Sequence, residues 1–235
     1  MGEQRVGLVQ GESNMHNFMA HLLKDVRALE YMLEHDWFET DTIRIGGEQE
    51  MFIVDKETFA PATIGPEMLE KLHKYPWADS ELARFNLETN LTPHEFRGHC
   101  LSLMEAENME HQRIIREQAK KMGAEIVLTG ILPTLRKFDL AMENLTPRPR
   151  YFALMEAINQ QLIGNAYELR LAGIDELLVK HDSPLLEACN TSFQVHLQVT
   201  PQEFVHLYNI AQTLAAPVMA IAANFAHCIW QTPLA

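Results

Sequence analysis

The chain has 235 residues, 47% of them hydrophobic, which is enough apolar material for a packed globular core. Its 19 Lys and Arg against 32 Asp and Glu leave a formal charge of -13, a surface that repels nucleic acid and anionic membranes and excludes both as expected partners. Metal cations are the natural counterpart of such a surface. There is no secretory signal pattern at the start, and the nearly apolar stretch from Leu214 to Ala223 is short and interrupted by Pro217. These features predict a cytoplasmic protein. Cys100, Cys189 and Cys228 are odd in number and far apart, which predicts buried free thiols rather than disulfides or a zinc site.

Taken in chain order, the first predicted element is an amphipathic helix from Met15 to Leu33. Phe18, Leu22, Val26 and Leu29 form its stripe, and Ser13 is available as a cap. Residues Ile43 to Asp55 read as a strand containing GGEQE. Successive strand residues point to opposite faces, so Glu48 and Glu50, two apart, look the same way. A turn-rich connection leads to a short helix near Glu67 to His73. FNLETNL, residues 85 to 91, alternates Phe85, Leu87, Thr89 and Leu91 with Asn86, Glu88 and Asn90, a second strand with Glu88 on its polar face. A long helix from Leu101 to Met122 ends at Gly123, and AEIVLTG follows as a strand. A helix begins at Phe152 after LTPRPRY. The segment Tyr167 to Glu187 fits no simple pattern. TSFQVHLQV is a third alternating strand, with Gln194 and His196 opposite Phe193, Val195 and Leu197. Thr200, Pro201 and Glu203 open a last helix that runs past Pro217 with a kink.

This order predicts an α+β fold in one domain over residues 1–235. A leading helix lies within 1–40, a sheet-and-helix core within 41–200 and a terminal helix within 201–235. The sheet is expected to be covered by helices on one face and open on the other. Three polar rows would then meet in the open cleft: Glu48 with Glu50, Glu88, and Gln194 with His196. Clustered carboxylates repel one another unless they take up protons or a cation. Magnesium suits such oxygen donors, and an imidazole or amide can complete a shell, particularly for manganese. The alternative is bland: one face of an antiparallel sheet is often polar only because it meets water.

Other motifs are weaker. His94 and His99 in HEFRGH are five residues apart and would diverge on a helix. Glu107 and His111 share a helix face that solvent alone explains. No P-loop or GxGxxG is present, so nucleotide binding would have to come from the sheet.

The same residues resemble a known family, the second-type glutamate-cysteine ligases, also called carboxylate-amine ligases. GGEQEMFIVD resembles the family's opening acidic strand and FNLETNLTP its second one. LTGILP, RPRYFAL, TSFQVHLQV and LAAPVMAIAAN are similar to later elements, and the order of all six matches over roughly residues 14 to 224. The resemblance implies a mainly antiparallel, curved, glutamine-synthetase-like sheet. It implies that Glu48, Glu50, Glu88 and His196 bind magnesium or manganese bridging the phosphates of ATP, with Gln194 and His196 completing the nucleotide site. Thr89 and Asn90 would approach the amino-acid substrate. The implied reaction phosphorylates a carboxylate, usually that of glutamate, and an amine such as cysteine then displaces the phosphate to form an amide.

Two departures qualify the match. Ile131 and Leu132 stand where the family commonly has a Thr-His pair, and Tyr151 and Gln194 are unusually far apart, which implies an insertion near Tyr167 to Glu187. The last arginine is Arg170, so the phosphate clamp expected of a ligase is not visible. Truncation of a longer protein, with an unfinished sheet edge that would favour a homo-oligomer, is one expectation. Service by Arg148 and Arg150 is another. A third is a metal-nucleotide or metabolite-sensing module of the same fold, without catalysis.

Overall fold

Twelve residues, Arg44–Asp55, form β1, the strand on which the rest of the sheet is assembled. The computed structural model describes residue 6 and residues 12–162, 166–172, 176–181 and 183–222. Before β1 lies α1, Glu12–Glu34. After it come α2 (Gly65–Lys71), β2 (Ala78–Ser80), β3 (Asn86–Asn90), β4 (His94–Glu95), α3 (Cys100–Lys121) and β5 (Ala124–Val127). Two short 3-10 turns lead to α4, Pro149–Leu162. The segment that fitted no pattern contains the hairpin β6 (Tyr167–Ala172) and β7 (Glu176–His181), a separate two-stranded sheet. β8 (Phe193–Leu197) and α5 (Phe204–Ala222) follow.

Every pairing in the main sheet is antiparallel. β1 is shared along its length: β3 takes Glu48 to Phe52 and β4 takes Arg44 and Ile45. On the other edge β5 takes Phe52 to Asp55 and β8 takes Ile45 to Gln49. β2 extends the sheet beyond β3. Mixed helices and antiparallel strands therefore match the predicted class.

The periodicity of β1 decides what each face does. Met51, Phe52, Ile53 and Val54 are all fully buried, so this half of the strand is covered on both sides. Met51 and Ile53 pack with Leu87 and Ile126 against Met68 of α2 and Ile115 and Ala119 of α3. Phe52 and Val54 point the other way, into a second cluster with Phe85, Leu135, Leu140, Tyr151 of α4 and Leu185. Helices were expected on one face only. α4 and the 3-10 turns also cap the apolar half of the second face; on the half that carries the glutamates, Glu48 and Glu88 are buried while Gln194 and His196 are exposed.

Local signals account for the element ends. Pro66 lies in the first turn of α2. Gly123, at φ 75°, ends α3 in the left-handed conformation that costs a glycine least, and Lys120 and Lys121 face the negative end of that helix. α1 already includes Ser13, so the helix begins one residue before the expected cap. Thr200 and Glu203 exchange a hydroxyl-to-carboxylate bond of 2.8 Å and an amide-to-hydroxyl bond of 3.3 Å at the entry to α5.

Three expectations are corrected. His94 lies in β4 and His99 at the N-terminal cap of α3, so their separation is that of a strand and a turn, not of a helix. His111 does not face solvent: it is buried and stacks on Trp77, with ring centroids 3.8 Å apart. Glu107 accepts hydrogen bonds from the backbone N–H and hydroxyl of Thr92, with His94 Nε2 at 3.6 Å and His111 Nε2 at 3.9 Å. The polar pair on α3 thus fastens the helix to the sheet edge. Finally, Leu214 to Ala222 belongs to a longer apolar helix, α5, whose mean hydropathy reaches 1.3 with none of it buried. By length and composition only, α5 could cross a membrane.

Cys100 and Cys189 are buried, as expected. Cys228 lies outside the described residues, as does the end of the terminal segment.

Candidate functional site

The polar half of the second sheet face is built by strand register. Glu50 lies directly opposite Glu88 of β3, and Glu48 lies between Asn90 of β3 and Gln194 of β8. Gly46, the next residue on that face, pairs with His196. Asp79 of β2 is opposite Glu88. Directly opposed residues share a face, so Glu48, Glu50, Glu88, Asn90, Gln194 and His196 are brought together on one surface. Thr89 is not among them. It pairs with Gln49, is fully buried and points to the α2 and α3 side.

The glutamates are held by named donors. Gln194 Nε2 donates to Glu50 Oε1 at 2.9 Å, while the backbone N–H and hydroxyl of Ser192 donate to Glu50 Oε2 at 2.8 and 3.1 Å. Asn90 donates to Glu88 at 2.9 Å. His196 Nε2 is 3.7 Å from Glu48 Oε2.

A fourth carboxylate completes the cluster. Glu81, in the turn after β2, joins Glu50 and Glu88 so that one oxygen from each lies within 4.8 Å of the others. Burial, with the charges of Glu50 and Glu88, pushes the Glu81 carboxyl up to about 8, against one backbone hydrogen bond from Leu82. Glu88 is also raised, first by burial and then by Glu48. Both shifts favour the protonated carboxyl, and a cation would relieve the same repulsion. The chemistry of the donors fits a hard divalent ion: they are oxygens, clustered, partly desolvated and short of positive charge. Nearby, Asn86 is 3% exposed and, among the described residues, neither of its amide atoms has a hydrogen-bond partner, which leaves a buried polar group near Glu88 able to meet a ligand or water.

Arg150 lies within electrostatic reach of Glu81. Arg150 donates to the Tyr151 hydroxyl at 2.7 Å and lies over that ring at 4.6 Å, and Tyr151 in turn donates to the Ser80 carbonyl at 2.9 Å. Asp79 and Glu81 act on it electrostatically. Arg148 is elsewhere, lining a depression with Pro66, Glu70 and Thr146. Ile131 and Leu132 are core residues and contribute no polar group.

Sequence reasoning missed Glu81 because it lies in no alternating run, and it named Arg148 and Arg150 together without separating the two. The ordering of Glu50 by Ser192 was missed too, although Ser192 precedes Gln194 by two and so shares its face.

A separate cavity of about 430 Å³ lies on the opposite side of β8, lined by Gln49, Phe193, Val195 and Met219 among others. It is mainly apolar and does not contain the carboxylates, so the charge chemistry belongs to the acidic face.

A model of the family described as "Glutamate-cysteine ligase family 2" matches residues 44–225, which include β1, β3 and β8. The chain is 33% identical over 114 residues to a protein named "Putative glutamate--cysteine ligase 2" from Bordetella parapertussis. It has the same identity over the same length to one of that name from Bordetella bronchiseptica. Each match covers 47% of this chain and 26% of the relative, so the aligned stretch spans about a quarter of those proteins.

Proposed function

This chain belongs to glutamate-cysteine ligase family 2, and from that premise we propose that it acts as an ATP-dependent carboxylate-amine ligase on a glutamine-synthetase-like sheet. The observation that carries the reading is the convergence of Glu50, Glu81 and Glu88 on one partly buried sheet face, at a spacing one divalent ion could bridge.

Glu50, Glu81 and Glu88 would hold magnesium or manganese, with Glu48 and His196 beside them. Bound metal and ATP supply the transferable phosphoryl group and neutralise its charge. The protein's own part is positioning. Gln194 and Ser192 fix both oxygens of Glu50, and Asn90 fixes Glu88. Arg150, held by Tyr151, offers the fixed positive charge that phosphoryl transfer asks for, answering the apparent lack of an arginine clamp. The carboxylate acceptor, glutamate or a similar acid, would lie toward Asn86 and Asn90. The amine, cysteine or another, would displace phosphate to leave an amide. No covalent nucleophile is required of the chain.

The test is ADP release by the longest native form of the protein with magnesium, ATP, glutamate and cysteine, beside a Glu88→Gln variant. Release that needs both amino acids and falls at least about 100-fold in the variant supports the ligase. Persistent magnesium-dependent ATP binding without ADP, across a panel of amines, would instead identify a sensing module.

A further inference from the structure

Six apolar residues of α1 fall in a heptad. Met15, Leu22 and Leu29 alternate with Met19, Val26 and Leu33 at steps of four and three, the seam of a coiled coil rather than of a helix lying on a sheet. All six are exposed, by 42 to 55%, and Phe18 and Leu23 beside them are 48 and 55% exposed. Such a continuous apolar row on a charged protein marks an interaction surface.

We infer that α1 pairs with α1 of a second copy as an antiparallel coiled coil, with the two-fold axis at the level of Lys24. The seam is self-complementary about that point. Leu22 meets Val26 of the second copy, Met19 meets its Leu29 and Met15 meets its Leu33, the a-to-d pairing an antiparallel coil requires. The flanks agree. His16 comes beside Glu30 twice over, Phe18 beside Met32 twice over and Leu23 beside its own copy. A parallel pair would set Asp25 against Glu30 twice, whereas the antiparallel one leaves a single Asp25 pair across the axis.

The size is also suitable. Covering the eight exposed side chains at roughly 80 Å² each removes about 600–700 Å² per copy, approaching the ~800 Å² a side of a standard interface. A helix of 23 residues is about 34 Å long. Since each sheet follows Glu34, the two sheets sit at opposite ends of the helix pair and do not collide. The acidic face is not part of this contact.

Sedimentation velocity of the 235-residue chain at tens of micromolar should give a dimer. Leu22→Glu and Val26→Glu should each weaken it by about 100-fold or more, with far-ultraviolet circular dichroism unchanged. In a Cys228→Ser background, Asp25→Cys should oxidise to a disulfide-linked dimer and Leu22→Cys should not. A monomer at this concentration overturns the inference and leaves the seam to another segment of a longer chain or to a different protein. A dimer indifferent to Leu22→Glu, or one that cross-links through Leu22→Cys and not Asp25→Cys, overturns it equally.

Discussion

Replacing Glu81 by Gln tests the electrostatics of the acidic face most directly. In the metal-free protein the Glu81 carboxyl is raised from its ordinary 4.5 to about 8, because burial and the charges of Glu50 and Glu88 oppose its ionisation. Between those values the unfolded chain has lost the proton and the folded one retains it. Stability is therefore greatest at low pH on this account and falls as pH rises, by up to about 1.4 kcal/mol per pH unit for one proton. The raised Glu88 carboxyl adds to the fall in the same direction. A glutamine cannot ionise, so Glu81→Gln should be flatter and, by pH 8, more stable than the native chain by roughly 2–4 kcal/mol. The assay is urea unfolding with a chelator present, at half-unit steps from pH 5 to 8.5. Ionisations common to both proteins cancel in the difference. On the proposed metal site, saturating magnesium or manganese should reverse the order, since the ion would bind only the folded carboxylates and would need Glu81 charged. Parallel curves for the two proteins over that range would refute the reasoning.

Further predictions concern how the face is held in place. A Cβ at Gly47 would lie 2.9 Å from the Gln194 carbonyl oxygen, whereas one at Gly46 would meet only Pro93 at 3.7 Å or more. Gly47→Ala should therefore cost about 1–3 kcal/mol and loosen manganese binding by displacing β8, while Gly46→Ala should change the urea midpoint little. Tyr151→Phe removes the donor to the Ser80 carbonyl and the acceptor of Arg150, and should cost about 1–3 kcal/mol in thermal unfolding. Phe85 is fully buried and stacks with Phe52 at 6.3 Å, so Phe85→Ala should cost about 3–5 kcal/mol with an unchanged denaturant slope.

Much of the acidic face was legible because a strand's side chains repeat every two residues. That rule alone brings Glu48 and Glu50 together and puts Glu88 and Asn90 on one row, and it applies equally to Gln194 and His196. The same rule turns Thr89 away, although it adjoins Glu88 in the chain. What period cannot supply is register, so the placing of Gln194 opposite Glu48 became visible only in the sheet. β2 and β4, at three and two residues, are too short for any period to register, and Glu81 follows β2 in a turn where its neighbours carry no pattern. His111 was misjudged because a polar side chain near the middle of a charged helix looks solvated, while Trp77 supplies a buried ring for it to stack on. The apolar rows of α1, α5 and β8 were correctly located, but periodicity says only that a row wants cover and not whether the same chain provides it.

The sharing of β1 among four strands has a consequence for the order in which the chain can organise. Glu50 reaches Glu88 across roughly 40 residues, but Glu48 reaches Gln194 across roughly 150, and closing the longer loop costs about 1 kcal/mol more. Non-local pairing of this kind slows folding. The carboxylates of β1 and β3 can thus assemble while the other edge of β1 is still bare, and the amide and imidazole of β8 arrive last, onto a charged surface already set in place.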